Sequence, residues 1–270
     1  MPRDDEETFA TNIERFTGFA DQYDRFRPTP PERLAPLLIE LAQIGSGGTV
    51  VDLGCGTGLS TRYWAGRGAQ VIGVEPTDAM RLQAQAQGGE GISYQRGFSH
   101  ATGLPDASAD IVTCAQALHW MDPPSTFVEV ARILRPGGIF AACDYDWPPV
   151  TGIWQVDAAY LECDQRTRAV ERELNLSPGI KFSEKSGHLR RMQESGAFRW
   201  TREILLHHED EGDAERLVGL MFSQGSVQTL LKAGITEDEI GITAFRELAQ
   251  RLMPEKRPWL WCSRVRVGVV

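Results

Sequence analysis

The sequence has little with which to build an extracellular or metal-stapled protein. Its five cysteines, Cys55, Cys114, Cys143, Cys163 and Cys262, show no C-x-x-C spacing and no histidine partners. That argues against a disulfide framework or a metal site, and reduced thiols in a cytoplasmic protein are expected. No apolar run approaches the roughly 20 residues of a membrane span. The N-terminal stretch MPRDDEETFA is acidic and lacks the apolar core of a secretion signal. Positive charge is also scarce: 28 Lys and Arg against 37 Asp and Glu leave a net charge of −9. An acidic surface disfavours nucleic acid or an anionic membrane as partner. A small molecule handled by a monomer or homodimer is expected instead.

What is present is a rhythm. The stretch PPERLAPLLIELAQIGSGG reads as a helix with Leu34, Leu37, Leu38 and Leu41 on one face. Then strands (TVVDLG, AQVIGVEP, ISYQRG, ADIVTCAQ, GIFAACDYD) alternate with helices (LSTRYWAGRG, DAMRLQAQAQGG with Asp78 as N-cap, STFVEVARILRPGG). Strands that are apolar on both faces imply a parallel sheet covered on both sides. After Pro149 the rhythm breaks into a long helical stretch. The expected organisation is an N-terminal helical cap over 1–29, a core over 30–149, a helical lid over 150–195 and the rest of the core over 196–270.

The turn VVDLGCGTGLS follows the first strand and opens a helix. Glycine at 54, 56 and 58 permits positive φ and a close approach of backbone to ligand. Glu75, at the end of the second strand, suits two adjacent ribose hydroxyls. This much is shared with dinucleotide-binding folds. Asp52 points elsewhere, because a pyrophosphate about 4 Å from its carboxylate would cost about 4 kcal/mol at an effective dielectric of ~20. The spacing D-x-G-x-G-x-G also differs from G-x-G-x-x-G, and no phosphate-loop lysine follows. A ligand with an adenosine ribose and a cationic far end fits better, and S-adenosyl-L-methionine is such a ligand.

The segments VVDLGCGTG, VIGVEPTDAM, GLPDASADIVTCAQALHWMD and EVARILRPGG, in this order, resemble a class I S-adenosylmethionine-dependent methyltransferase. The similarity is to the small-molecule group that includes trans-aconitate and ubiquinone/menaquinone-type enzymes. It implies an α/β, Rossmann-like, seven-stranded doubly wound sheet whose last strand is antiparallel. Strand six would lie at 197–206 and strand seven at 259–269. It also implies roles: Asp52 and the Gly54 backbone toward the methionine amino end, Cys55, Gly56 and Gly58 in cofactor binding, and Glu75 on the ribose. Met80 would pack near the adenine, whose edge Phe98 and Ser99 would line. Gln116 and Ala117 would pass the sulfonium. The product cofactor would be S-adenosyl-L-homocysteine.

For the acceptor, His119 in QALHWMD is the first candidate base, since its ordinary pKa near 6.5 suits proton removal at neutral pH. A loop-shaping histidine is the alternative. Tyr23 is the second candidate, and Arg27 suits the methionine carboxylate as a bidentate partner. His188, His207 and His208 have no motif around them and read as surface or lid residues. Aromatics at Phe16, Phe19, Trp120, Tyr145, Trp147 and Trp154 favour an apolar or aromatic acceptor. Two alternatives to methyl transfer stay open: a non-methylating reaction of the same cofactor, such as a cyclisation, and a noncatalytic binding protein.

Overall fold

The computed structural model describes residues 12, 24–45, 47–67 and 69–270. Within them the chain divides into two compact units. One comprises the described part of Met1–Pro28, Asp146–Ile180 and His207–Cys262; the other comprises Thr29–Tyr145, Lys181–Leu206 and Ser263–Val270.

The second unit carries the glycine turn. Helix α1 (Leu34–Ala42) precedes β1 (Gly48–Leu53), α2 (Leu59–Tyr63), β2 (Ala69–Val74), α3 (Asp78–Gln87) and β3 (Ile92–Gln95). Then come β4 (Ala109–Ala115), α4 (Pro123–Ile133) and β5 (Leu134–Tyr145). Helix α6 (His188–Glu194) leads into β6 (Trp200–Gly212), and β7 (Arg257–Val269) closes the chain. The sheet order is β3-β2-β1-β4-β5-β7-β6. β1 pairs in parallel with β2 and β4, whereas β7 runs antiparallel to β5.

Successive strand residues point to opposite faces, so a strand buried on both sides reads as an unbroken apolar run. Val50 packs with Leu34, Leu38, Val71, Ile111 and Ile139. Its neighbour Val51 packs with Val74, Val112, Phe127 and Phe140 on the other face. The chain winds outward from β1 to β3 and then returns to β4. The order therefore reverses between β1 and β4, and in open α/β sheets ligands bind at the carboxyl ends of the strands at such a reversal.

Several boundaries differ from the sequence expectation. Thr77, not Asp78, is the residue preceding α3; Asp78 is its first residue and pairs with Arg81 at 2.9 Å. Strand β6 runs to Gly212 and so takes in the polar run His207–Asp210. As an edge strand it meets water along part of its length, where alternating polar residues are tolerated. Its last residues belong to the first unit, which otherwise consists of α5 (Trp154–Glu173), α7 (Ala214–Phe222), α8 (Gly225–Lys232), α9 (Ile242–Leu252) and the start of β7. Its core stacks Trp147 on Tyr160 at 6.2 Å and sets Trp261 edge-on to Trp147 at 5.6 Å. Among the described residues, no helix is long and apolar enough to cross a membrane.

Candidate active site

Gly54, Gly56 and Gly58 have φ values of 65°, 56° and 85°. The amides of Gly54 and Cys55 both donate to the Val74 carbonyl, at 2.8 and 3.2 Å, so the turn is pinned to the end of β2. Asp52 lies beneath it, fully buried. Its Oδ2 accepts from the Ser60 and Thr61 hydroxyls at 2.6 and 2.8 Å, and its Oδ1 from Thr113 at 3.1 Å. Burial raises its pKa, and the three hydroxyls oppose that shift. In this structure Asp52 braces the turn through α2 and β4.

Glu75 is the carboxylate at the rim. It is also buried, and its Oε2 accepts the Gly56 amide at 2.9 Å while Oε1 accepts the Thr77 amide at 2.9 Å. Burial pushes its pKa up against these bonds. Each oxygen keeps lone-pair capacity for a further donor. Among the described residues, a Cβ placed on Gly56 would meet only Met80 Sδ, at 3.7 Å, so within them the glycine opens onto a cradle. Gly54 differs: its Cβ would strike Met121 Cε at 2.7 Å and Ala117 Cβ at 2.9 Å, so the glycine turn abuts the turn after β4. Burial drives the Cys55 thiol well above its usual pKa, which leaves it inert as a nucleophile. Met80 is buried on α3. Phe98 stacks on His100 at 5.5 Å, and the Ser99 hydroxyl is taken up by Thr126 at 2.8 Å.

The turn after β4 holds the other candidates. Gln116 has φ 53°, and its amide donates to the Cys143 carbonyl at 2.8 Å. Ala117 follows, and Leu118–Trp120 form one 3-10 turn. His119 is buried between Trp120 and Phe182, with ring centroids 4.9 and 5.4 Å away. Its Nδ1 lies 3.9 Å from Asp144 Oδ1, at the end of β5. Asp144 is the hub of a buried ionic cluster that sequence reasoning did not foresee. Arg266 on β7 reaches it at 2.7 Å and Lys185 at 3.3 Å, and Arg266 also holds Glu203 at 2.8 Å. His188 belongs here too, fully buried with Nε2 4.0 Å from Asp144, which corrects its reading as a surface or lid residue. Burial first, aided by Arg266, Arg191 and Lys185, lowers its pKa to about 4 against the pull of Asp144. The available signal was a lone charge inside an apolar strand, as in IFAACDY and VRVGVV.

The remaining candidates belong to other segments. Tyr23, Phe16 and Phe19 are outside the described residues. Arg27 belongs to the first unit, where Nε bonds the Ser223 hydroxyl at 2.8 Å and Nη2 the Ser223 carbonyl at 2.7 Å. Its guanidinium lies over Trp147 at 4.7 Å. Trp147 packs within that unit, and Trp154 is 73% exposed. His207 and His208 lie within β6.

A seven-stranded sheet in this order, with an antiparallel β7 and a glycine turn facing an acid at the end of β2, defines a class I methyltransferase fold. Residues 51–142 match the family described as a methyltransferase domain, about a third of the chain. An uncharacterized methyltransferase of Mycobacterium tuberculosis is 40% identical over 124 residues, 46% of this chain and 49% of that protein. The ubiquinone biosynthesis O-methyltransferase of Aeromonas salmonicida is 35% identical over 143 residues, 47% of this chain and 58% of that protein. The chain thus spans about half the length of the curated relatives it matches. A solved protein of Anaeromyxobacter dehalogenans, provisionally described as a type II methyltransferase, shares the fold over 90% of this chain and 98% of its own, with TM-score 0.63 and 24% identity.

Proposed function

We infer that the protein is an S-adenosylmethionine-dependent methyltransferase acting on a small apolar or aromatic acceptor. The observation that carries this is the pairing of Glu75 with Gly56. A buried carboxylate, already fixed by two backbone amides, stands beside a glycine whose Cβ direction is open. Among the described residues neither Asp52 nor Glu75 forms an ion pair. Two uncompensated buried carboxylates are hostile to a pyrophosphate and favourable to a ligand that brings hydroxyl donors and positive charge.

The bound sulfonium would supply the activated methyl group. The chain's own contribution is then alignment and a proton acceptor. Glu75 would accept from both ribose hydroxyls, and the Gly54–Gly58 backbone would set the height of the ligand over β1. In-line alignment of nucleophile and methyl is by itself worth roughly 7–11 kcal/mol. His119 would take the proton of an acceptor that must lose one. Asp144 Oδ1 lies 3.9 Å from its Nδ1. Trp120 and Phe182, packed on the same ring, give the acceptor an apolar neighbour.

The test is incubation with methyl-labelled S-adenosylmethionine and a panel of phenols, quinols, enolisable ketones and amines. Label transfer with equal release of S-adenosylhomocysteine supports the reading. Failure of wild-type protein to bind S-adenosylhomocysteine in calorimetry would end it.

A further inference from the structure

Gln116 is a side-chain-bearing residue in the left-handed region, a conformation that persists only where its surroundings over-determine it. One constraint is the amide bond to Cys143. The other is Lys185 Nζ, which lies 2.6 Å from Gln116 Oε1 and 3.3 Å from Asp144 Oδ1. Lys185 sits just before α6, in a segment that grips the turn after β4 at further points. The Ser183 amide donates to the His119 carbonyl at 2.8 Å, and Phe182 packs edge-on against both His119 and Trp120 at 5.4 Å.

Neutralising the cluster does not require Lys185. The carboxylates Asp144 and Glu203 are already matched by Arg266 and Arg264, the latter 3.4 Å from Glu203. Among its contacts with the described residues named above, the ammonium's shortest is to a neutral amide. An ammonium can only donate, so the Gln116 oxygen must face it and the NH2 group must face away. That Nε2 is buried and makes no hydrogen bond among the described residues. A buried amide donor held in one orientation and unmatched by protein is a group prepared for an acceptor atom that arrives with a ligand.

We propose that Lys185 is a positioning residue that locks the Gln116 amide so that its NH2 group donates to an oxygen acceptor, of carboxylate type, on the bound cofactor. This rests on the methyltransferase reading above. Ala117, the next residue, abuts Gly54, so the turn that carries Gln116 adjoins the glycine turn.

The experiment is calorimetric titration of the full chain with S-adenosylhomocysteine, with thermal melts as a fold control. Lys185→Met should weaken binding about tenfold, the worth of one hydrogen bond, whereas Lys185→Arg, which keeps a donor, should recover most of the loss. Gln116→Ala should weaken binding by a similar factor. Adding Lys185→Met to Gln116→Ala should then change the affinity less than twofold, because one residue acts through the other. The proposal is overturned if Lys185→Met binds normally, or if the two losses multiply. If Lys185→Met does not fold, Gln116→Ala alone decides, since normal binding by that variant removes the donor role. Wild-type protein that does not bind at all refutes the methyltransferase reading itself, which separates the two failures.

Discussion

Replacing Glu75 with alanine removes the carboxylate on which two functions converge. In the folded protein it accepts the Gly56 and Thr77 amides, each at 2.9 Å. Under the proposed function it also accepts two ribose hydroxyls. Hydrogen bonds to an ionised group contribute about 1.5–3 kcal/mol each. Losing both ligand bonds should therefore cost roughly 3–6 kcal/mol, or about a hundredfold to ten-thousandfold in Kd. Glu75→Gln should lie between wild type and alanine: its carbonyl oxygen still accepts one amide, but its NH2 faces the other donor to donor. Calorimetric titration with S-adenosylhomocysteine reads the loss. A 2′-deoxyribose analogue separates the ribose contacts from a general collapse of the turn, because wild type and variant should differ less on a ligand that lacks one of the hydroxyls. Burial raises the Glu75 pKa, so wild-type binding should weaken at a higher pH than an ordinary glutamate would cause as the solution is acidified. A Glu75→Ala Kd within threefold of wild type would refute the ribose assignment.

Gly56→Val should abolish binding of the cofactor product while circular dichroism stays native, since the added atoms enter the open cradle near Met80; normal binding would mean that the cradle is not the ligand's. His119→Ala should lower turnover roughly a hundredfold with S-adenosylhomocysteine affinity within a few-fold, measured by steady-state kinetics and calorimetry; near-normal turnover makes His119 a shaping residue. His188 titrates at 6.5 when unfolded and about 4 when folded, so the unfolded chain alone takes up the proton in that interval. Stability should then fall as pH drops from 6.5 to 4, by roughly 3 kcal/mol at about 1.4 kcal/mol per unit. The melting-temperature difference between wild type and His188→Gln should shift across that window, and parallel curves would disprove the neutral burial.

The elements that hold the glycine turn were legible because their signals are local. VVDLG is a buried strand by composition, the glycines follow at once, and Glu75 ends the next strand. The helices α7 and α8 were not assigned, since Ser223, Gln224 and Gly225 interrupt their pattern within a few residues. The polar end of β6 lies beyond the 197–206 that the resemblance implies for this strand. The cluster around Asp144 was invisible for another: Lys185, Glu203 and Arg266 come from distant parts of the chain and meet only when β7 inserts beside β5. His188 shows the same gap, because nothing in HLRRMQE tells which face of that helix turns inward.

The bracing of the glycine turn bears on how the reaction would end. Asp52 ties it to α2 and β4, and Glu75 ties it to Thr77 at the start of α3, all through bonds internal to the protein. A seat completed in advance demands little ordering when it is filled, which favours tight capture. The parts it would grip, ribose, adenine and amino acid, are the same in the charged donor and in what is left after the methyl has gone, so only the sulfonium charge separates the two. Under the proposed function the spent molecule should compete strongly for the seat. Throughput would then depend on how quickly S-adenosylhomocysteine is removed from the surroundings, and the ratio of fresh to spent donor would govern the rate as much as the acceptor supply.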